Sequence, residues 1–261
     1  MRFNEYLGRW LVRPAFTMLC VCVVFSGCVS TDNNAQADVK KAAKVRLELA
    51  ANYFKINRFE TALDELDRSI ELDNSSTDAF ALRGLVYLTI GKIEQAQESY
   101  DRALKLAPEN SSVNNSYGWF LCQTHREEES FAYFKKAIND PLYQTPELAF
   151  QNMGICLLKL KKTDQAQDSL RKALEINRNL PEALLGMSRV SKAREQWREA
   201  NEFYRQYERL VEPSLESLWY GIRIAYQAGS GAEVRSRGLK LKERFPFSLE
   251  YQSFLRREFD F

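Results

Sequence analysis

The chain has 261 residues, 45% of them hydrophobic, and only 11 glycines and 7 prolines. That is too few turn formers for an all-β protein, while the abundant Ala, Leu, Glu, Lys, Arg and Gln favour helices. The formal charge of +2 vanishes once residues 1–27 are set aside, leaving 34 basic and 34 acidic residues with no Lys/Arg stripe, which argues against a nucleic-acid-binding surface.

The first element is an export signal. Arg2, Arg9 and Arg13 precede Pro14–Phe25, an apolar run of twelve residues. A bilayer span needs roughly 20 such residues, so the run fits the apolar core of a signal peptide. The string Phe25-Ser26-Gly27-Cys28 resembles the lipobox of bacterial lipoproteins. That resemblance implies cleavage after residue 27 and lipidation of Cys28, with palmitate among the acyl chains. Two or more chains hold a protein stably on a membrane where one is marginal. Val29 stands where an Asp would resemble an inner-membrane retention signal, so the expected location is the outer membrane, with the body facing the periplasm. Residues 28–42 read as the lipidated cysteine followed by a polar tether of low order. Fully extended, such a tether spans about 40 Å.

Beyond the tether the sequence repeats itself. Ala50, Gly84, Gly118, Gly154, Ser188 and Ile222 recur every 34 residues, with two extra residues near Thr145-Pro146. Ala62, Ala96, Ser130, Ala166, Ala200 and Val234 follow in the same register, and then Ser69, Ala103, Ala137, Ala173, Tyr207 and Leu241. Inside one period, Phe80, Gly84 and Tyr87 share a helical face, as do Ala96, Tyr100 and Ala103. Gly91 separates the two runs and Pro108 ends the second. Each unit therefore reads as two antiparallel helices that pack closely through small residues. A period of 34 with small residues at these offsets resembles the tetratricopeptide repeat (TPR) family.

The resemblance implies an all-α, right-handed superhelical solenoid of six helix-turn-helix repeats. Their expected bounds are 43–76, 77–110, 111–144, 147–180, 181–214 and 215–248. Residues 249–261, with Tyr251, Phe254, Leu255 and Phe259 at helical spacing, are expected to form one capping helix, the alternative being a C-terminal docking motif. Each hairpin has an apolar face that only a neighbouring hairpin can bury, so the array must stack.

Catalytic chemistry finds no constellation to rest on. The single histidine, His125, falls in the turn of repeat three, and no P-loop, GxSxG, HExxH or paired-Cys zinc spacing occurs. Neither an enzyme nor a cofactor, metal or small-molecule substrate is expected. With Cys20 and Cys22 in the signal, two cysteines remain besides Cys28. These are Cys122 and Cys156, in the first helices of adjacent repeats. In an oxidising compartment such a pair is a candidate disulfide. The alternative is two buried free thiols, since Cys packs as a small hydrophobe.

The TPR resemblance also implies a concave binding face. The positions that line it in that family are here Leu47 and Phe54, Leu85 and Leu88, Asn115 and Trp119, and Gln151, Ile155 and Leu158. Repeats five and six add the more basic Arg189, Lys192 and Arg223. An apolar lining suits an amphipathic or extended apolar peptide, so partner binding is expected in residues 43–180, with the last two repeats as support; the alternative is that tight superhelical curvature buries these side chains internally. The strings Asn114-Asn115-Ser116-Tyr117-Gly118-Trp119-Phe120-Leu121-Cys122 and Asn152-Met153-Gly154-Ile155-Cys156 resemble the type IV pilus biogenesis and stability lipoproteins, the PilF/PilW pilotin family. This resemblance implies a pilotin, which binds the type IV pilus secretin and promotes its outer-membrane localisation and multimer assembly.

Overall fold

The computed structural model describes residues 29–261, with side chains from residue 35; the signal and Cys28 lie outside the described residues. Thirteen helices and no strand occur among the described residues. They form six hairpins. The pairs are α1 (Val29–Lys55) with α2 (Phe59–Leu72), α3 (Thr77–Thr89) with α4 (Ile93–Leu106), and α5 (Ser111–Gln123) with α6 (Glu127–Ile138). The chain continues with α7 (Pro146–Lys159) and α8 (Thr163–Ile176), then α9 (Pro181–Ala193) and α10 (Trp197–Leu210). The last pair is α11 (Leu215–Gln227) and α12 (Gly231–Arg244), followed by α13 (Leu249–Arg256). Each hairpin touches the next, and the first helices of repeats one to five also touch in series. The result is a TPR solenoid.

The small residues of the 34-residue register sit at the helix crossings. Ala50, Ala62, Ala96, Ser130, Ala166, Ser188 and Ala200 are all fully buried. Gly118 shows why size matters, since a Cβ there would lie 2.8 Å from the Phe134 ring. Side-chain oxygens of Ser76, Asn110 and Ser214 cap α3, α5 and α11, and Pro146 and Pro181 open α7 and α9.

Every hairpin turns in the same way. Asn57, Gly91, His125, Lys161, Glu195 and Gly229 have φ between 58° and 75°. The N–H of the next residue in each case bonds the carbonyl five positions back at 2.8–3.0 Å. This left-handed residue with its 6→1 bond is the Schellman device for ending a helix. It recurs in the register of the small residues, so six turns of one shape orient six hairpins alike.

Two expectations need correction. The tether segment is not irregular in the structure, because α1 begins at Val29 and runs unbroken into repeat one. Residues 35–42 are exposed all round, so good helix formers such as Ala, Gln and Lys extend the helix without help from packing. The cap is not one helix over 249–261. It ends at Arg256, where Arg257 at φ 58° lets the Glu258 N–H bond the Ser253 carbonyl at 3.0 Å. The turn sends Phe259 back onto the core around Leu218, Ile222 and Leu241, where it is 5% exposed.

Candidate binding surfaces

Of the residues expected to line the concave face, all but Asn115 are neither free nor lost to the interior. Leu47, Phe54, Leu85, Leu88, Trp119, Gln151, Ile155 and Leu158 are all half-buried. Leu47 and Phe54 lean on the cluster of Ala50, Ala62 and Leu66, while Leu88 leans on Tyr100 and Tyr117. Ile155 and Leu158 lean on Leu157 and Leu170. Asn115 is buried, and its Oδ1 accepts a hydrogen bond from Asn152 Nδ2 at 3.1 Å. The series of touching first helices explains this, because each fills part of its neighbour's side of the groove.

Cys122 and Cys156 are fully buried and bridged, with Cα atoms 5.9 Å apart. They pack with Phe134 beneath Trp119, and Ser130 Oγ lies 3.3 Å from Cys156 Sγ. The bridge thus ties α5 to α7 just under the groove wall.

A second apolar surface lies on α1, on the flank that in later repeats faces the preceding hairpin. Ala42, Val45, Leu49 and Ile56 lie on a single helical stripe that Asn52 interrupts as its one polar member, and all five are exposed. Val45 is 49% exposed, Leu49 37% and Ile56 62%. Two of these positions have counterparts in later repeats that are buried against the preceding hairpin. Ala79, Val113, Ala149 and Ala183 stand in the place of Val45 and are 0% exposed; Val86, Phe120, Cys156, Val190 and Ile224 stand in the place of Asn52 and are at most 2% exposed. Repeat one thus presents a face laid out like an internal repeat interface, with no hairpin against it among the described residues. Asn52 makes that face more polar at its centre, as a terminal repeat requires, yet Val45, Leu49 and Ile56 stay apolar. Sequence reasoning about the concave face missed this stripe, although its three-four spacing was there to be read.

Among the described residues no three His, Cys, Asp or Glu side chains come together in a way that could hold a metal ion. His125 projects from its turn with a side chain 91% exposed. Burial pushes the hydroxyls of Tyr100 and Tyr204 well above the ordinary tyrosine range and that of half-buried Tyr220 to about 12. These are packing effects at helix crossings.

A tetratricopeptide repeat family model matches residues 36–210, about two thirds of the chain. The type IV pilus assembly protein PilF of Pseudomonas aeruginosa is 33% identical over 247 residues, covering 93% of this chain and 98% of that protein. The crystal structure of PilW, described as a widely conserved type IV pilus biogenesis factor, superposes with a TM-score of 0.71 at 30% identity, over 82% of this chain and 98% of that one. The structure of Pseudomonas aeruginosa PilF gives 0.69 at 32% identity, over 84% and 99%. The hairpin register, the turn geometry and this end-to-end similarity agree: the chain belongs to the tetratricopeptide repeat family and, within it, to the PilF/PilW family of type IV pilus biogenesis factors.

Proposed function

We propose that this protein is a pilotin, an outer-membrane lipoprotein anchored through acyl chains on Cys28. It binds the type IV pilus secretin in the periplasm and promotes assembly of the secretin multimer. The observation that carries the reading is the similarity to PilF along nearly the whole of both chains, which brings the role in pilus biogenesis with it. The two apolar surfaces support a protein partner. A half-buried groove wall at Leu85 and Leu88 and an uncovered interface-like stripe on α1 both suit an apolar segment of the secretin. The lipobox-like Phe25-Ser26-Gly27-Cys28 supplies the anchor in this reading.

Deleting the gene should abolish surface pili and leave the secretin without heat-resistant multimers. Cys28→Ala should give a soluble protein and misplaced secretin. Intact pili and multimers in the deletion strain would overturn the proposal, and altered cell shape in that strain would point instead to an adaptor for cell-wall enzymes.

A further inference from the structure

The basic end of the concave face is occupied by the chain's own last residues. After the left-handed turn at Arg257, Phe259 packs against Trp219 and Tyr226, with ring centroids 6.0 and 4.8 Å away. Arg223 donates a hydrogen bond to the backbone carbonyl of Asp260. The ring of Phe261 lies between two cations, with Lys192 Nζ at 4.0 Å and the Arg223 guanidinium at 3.9 Å from its centroid. It also stacks on Trp197 at 5.9 Å and 12°. The tail thus lies across α9 and α11, against the concave-face positions Lys192, Trp219 and Arg223.

Two features indicate that the seat can hold a better ligand than the tail. Arg189, Lys192 and Arg223 crowd together. Burial, reinforced by the two guanidinium charges, holds the Lys192 ammonium below the ordinary lysine range. The one ion pair of this group among the described residues joins Arg189 to Glu216 at 4.0 Å. In addition, Arg223 Nε is buried without an acceptor, so the tail, which offers Arg223 a single carbonyl, leaves a donor unused. Such an orphan donor favours a ligand with one more oxygen. Only the very end is free to leave: Phe261 is 46% exposed, whereas Phe259 at 5% stays anchored in the core, as expected of a terminus that opens at low cost.

We propose that the concave face of repeats five and six is a second docking groove, for a partner segment that carries an aromatic residue beside a carboxylate. The chain's own Phe259-Asp260-Phe261 is a tethered stand-in for that segment. The carboxylate sits among Arg189, Lys192 and Arg223, and the aromatic ring takes the place of Phe261 between the two cations. Because the stand-in is covalently attached, its effective concentration raises the affinity a partner must reach. The groove is independent of the apolar surfaces of the earlier repeats.

The test uses a fluorescein-labelled peptide of residues 253–261, added to the full chain and followed by anisotropy. The unmodified chain should bind it weakly, and Phe261→Ala, which empties the ring site but leaves Phe259 anchored, should bind at least fivefold more tightly. Adding Arg223→Glu to that variant should reverse the gain at least tenfold. Phe261→Leu, which keeps an apolar filler but removes the ring from the cations, should show the same direction and serves if the alanine variant folds poorly. Equal binding by the unmodified chain and both Phe261 variants, or binding indifferent to Arg223→Glu, would overturn the proposal.

Discussion

Cys122 and Cys156 join the first helices of repeats three and four, with Cα atoms 5.9 Å apart across a sequence separation of 34 residues. In a solenoid each repeat touches only its neighbours, so a covalent link between adjacent repeats locks one of the junctions that lie under the groove wall. Closing a loop of this length limits the unfolded chain by about 3–4 kcal/mol in the chain-entropy picture. Reduction, or the double substitution Cys122→Ser/Cys156→Ser, should therefore lower the urea midpoint by a corresponding amount. Titration of the unfolded, unreduced mature protein should find neither thiol reactive, and two reactive thiols would refute the bridge.

Arg237 is 1% exposed and makes four hydrogen bonds. It donates to both Glu208 oxygens at 3.0 and 3.1 Å, to Asn201 Oδ1 at 2.9 Å and to the Gly221 carbonyl at 2.7 Å, and lies 4.5 Å from the Tyr204 ring centroid. Removing one partner of a buried pair strands the other, at about 3–5 kcal/mol. Arg237→Ala should destabilise by that order in chemical unfolding. A loss below about 1 kcal/mol would mean that water replaces the guanidinium easily.

The left-handed turns offer a gain. Lys161 and Glu195 hold φ 58° without the freedom of glycine, a conformation that costs an ordinary residue about 1–2 kcal/mol. After allowing for the greater unfolded-state entropy of glycine, Lys161→Gly and Glu195→Gly should each stabilise by about 0.5–1 kcal/mol. Gly91 and Gly229 occupy the same place in repeats two and six. Thermal melts showing a decrease would contradict this account of the turns.

The apolar surfaces can be separated by mutation. Val45→Glu with Leu49→Glu changes exposed side chains and should leave the melting temperature nearly unchanged, while weakening secretin capture if α1 is the docking face. Leu85→Glu probes the groove in the same assay. Leu88 is the poorer probe, because it also packs on Tyr100 and Tyr117 and a charge there would cost folding energy. Full capture by both variants would remove both surfaces from consideration.

Alkaline pH should unfold the protein through its tyrosines. Burial lifts Tyr220 from the ordinary value of 10.0 to about 12, so the folded state holds a proton that the unfolded chain releases. Its contribution is complete below pH 10 and is lost as pH rises from there through 12. Unfolding midpoints measured over that range should fall, and Tyr220→Phe should flatten the slope. Ionisation of every tyrosine near pH 10 in the native protein, read by ultraviolet absorbance, would refute the burial argument.

The helical hairpins were readable because their determinants are local or periodic. Gly118, Ser130 and Ala137 mark a close crossing wherever they recur at the same spacing, and Pro108 and Pro181 mark boundaries by their missing N–H. The turns were only partly readable: Gly91 and Gly229 look like helix stops, whereas His125, Lys161 and Glu195 do not. The hairpin imposes the left-handed conformation on them whatever their propensity. Arg257 hid the end of α13 in the same way, and the helical spacing of Tyr251, Phe254, Leu255 and Phe259 suggested a longer cap. The concave positions were identifiable through the TPR register, but the degree to which each is buried was not, since it depends on how tightly neighbouring first helices approach.

By itself, then, the sequence determined the repeat, the hairpin, the order of the elements and the apolar faces each must cover, since all of these follow from side-chain size and polarity at fixed spacing. Only the tertiary structure decided which faces are covered. Stacking hides Ala79 and Val113, the later counterparts of Val45, and leaves Val45 itself open. It also brings Cys122 to Cys156, and the turn at Arg257 folds Phe261 between Lys192 and Arg223. Each of these joins residues of different hairpins, and their separation is set by the angle at which one hairpin packs on the next or by where the chain turns back.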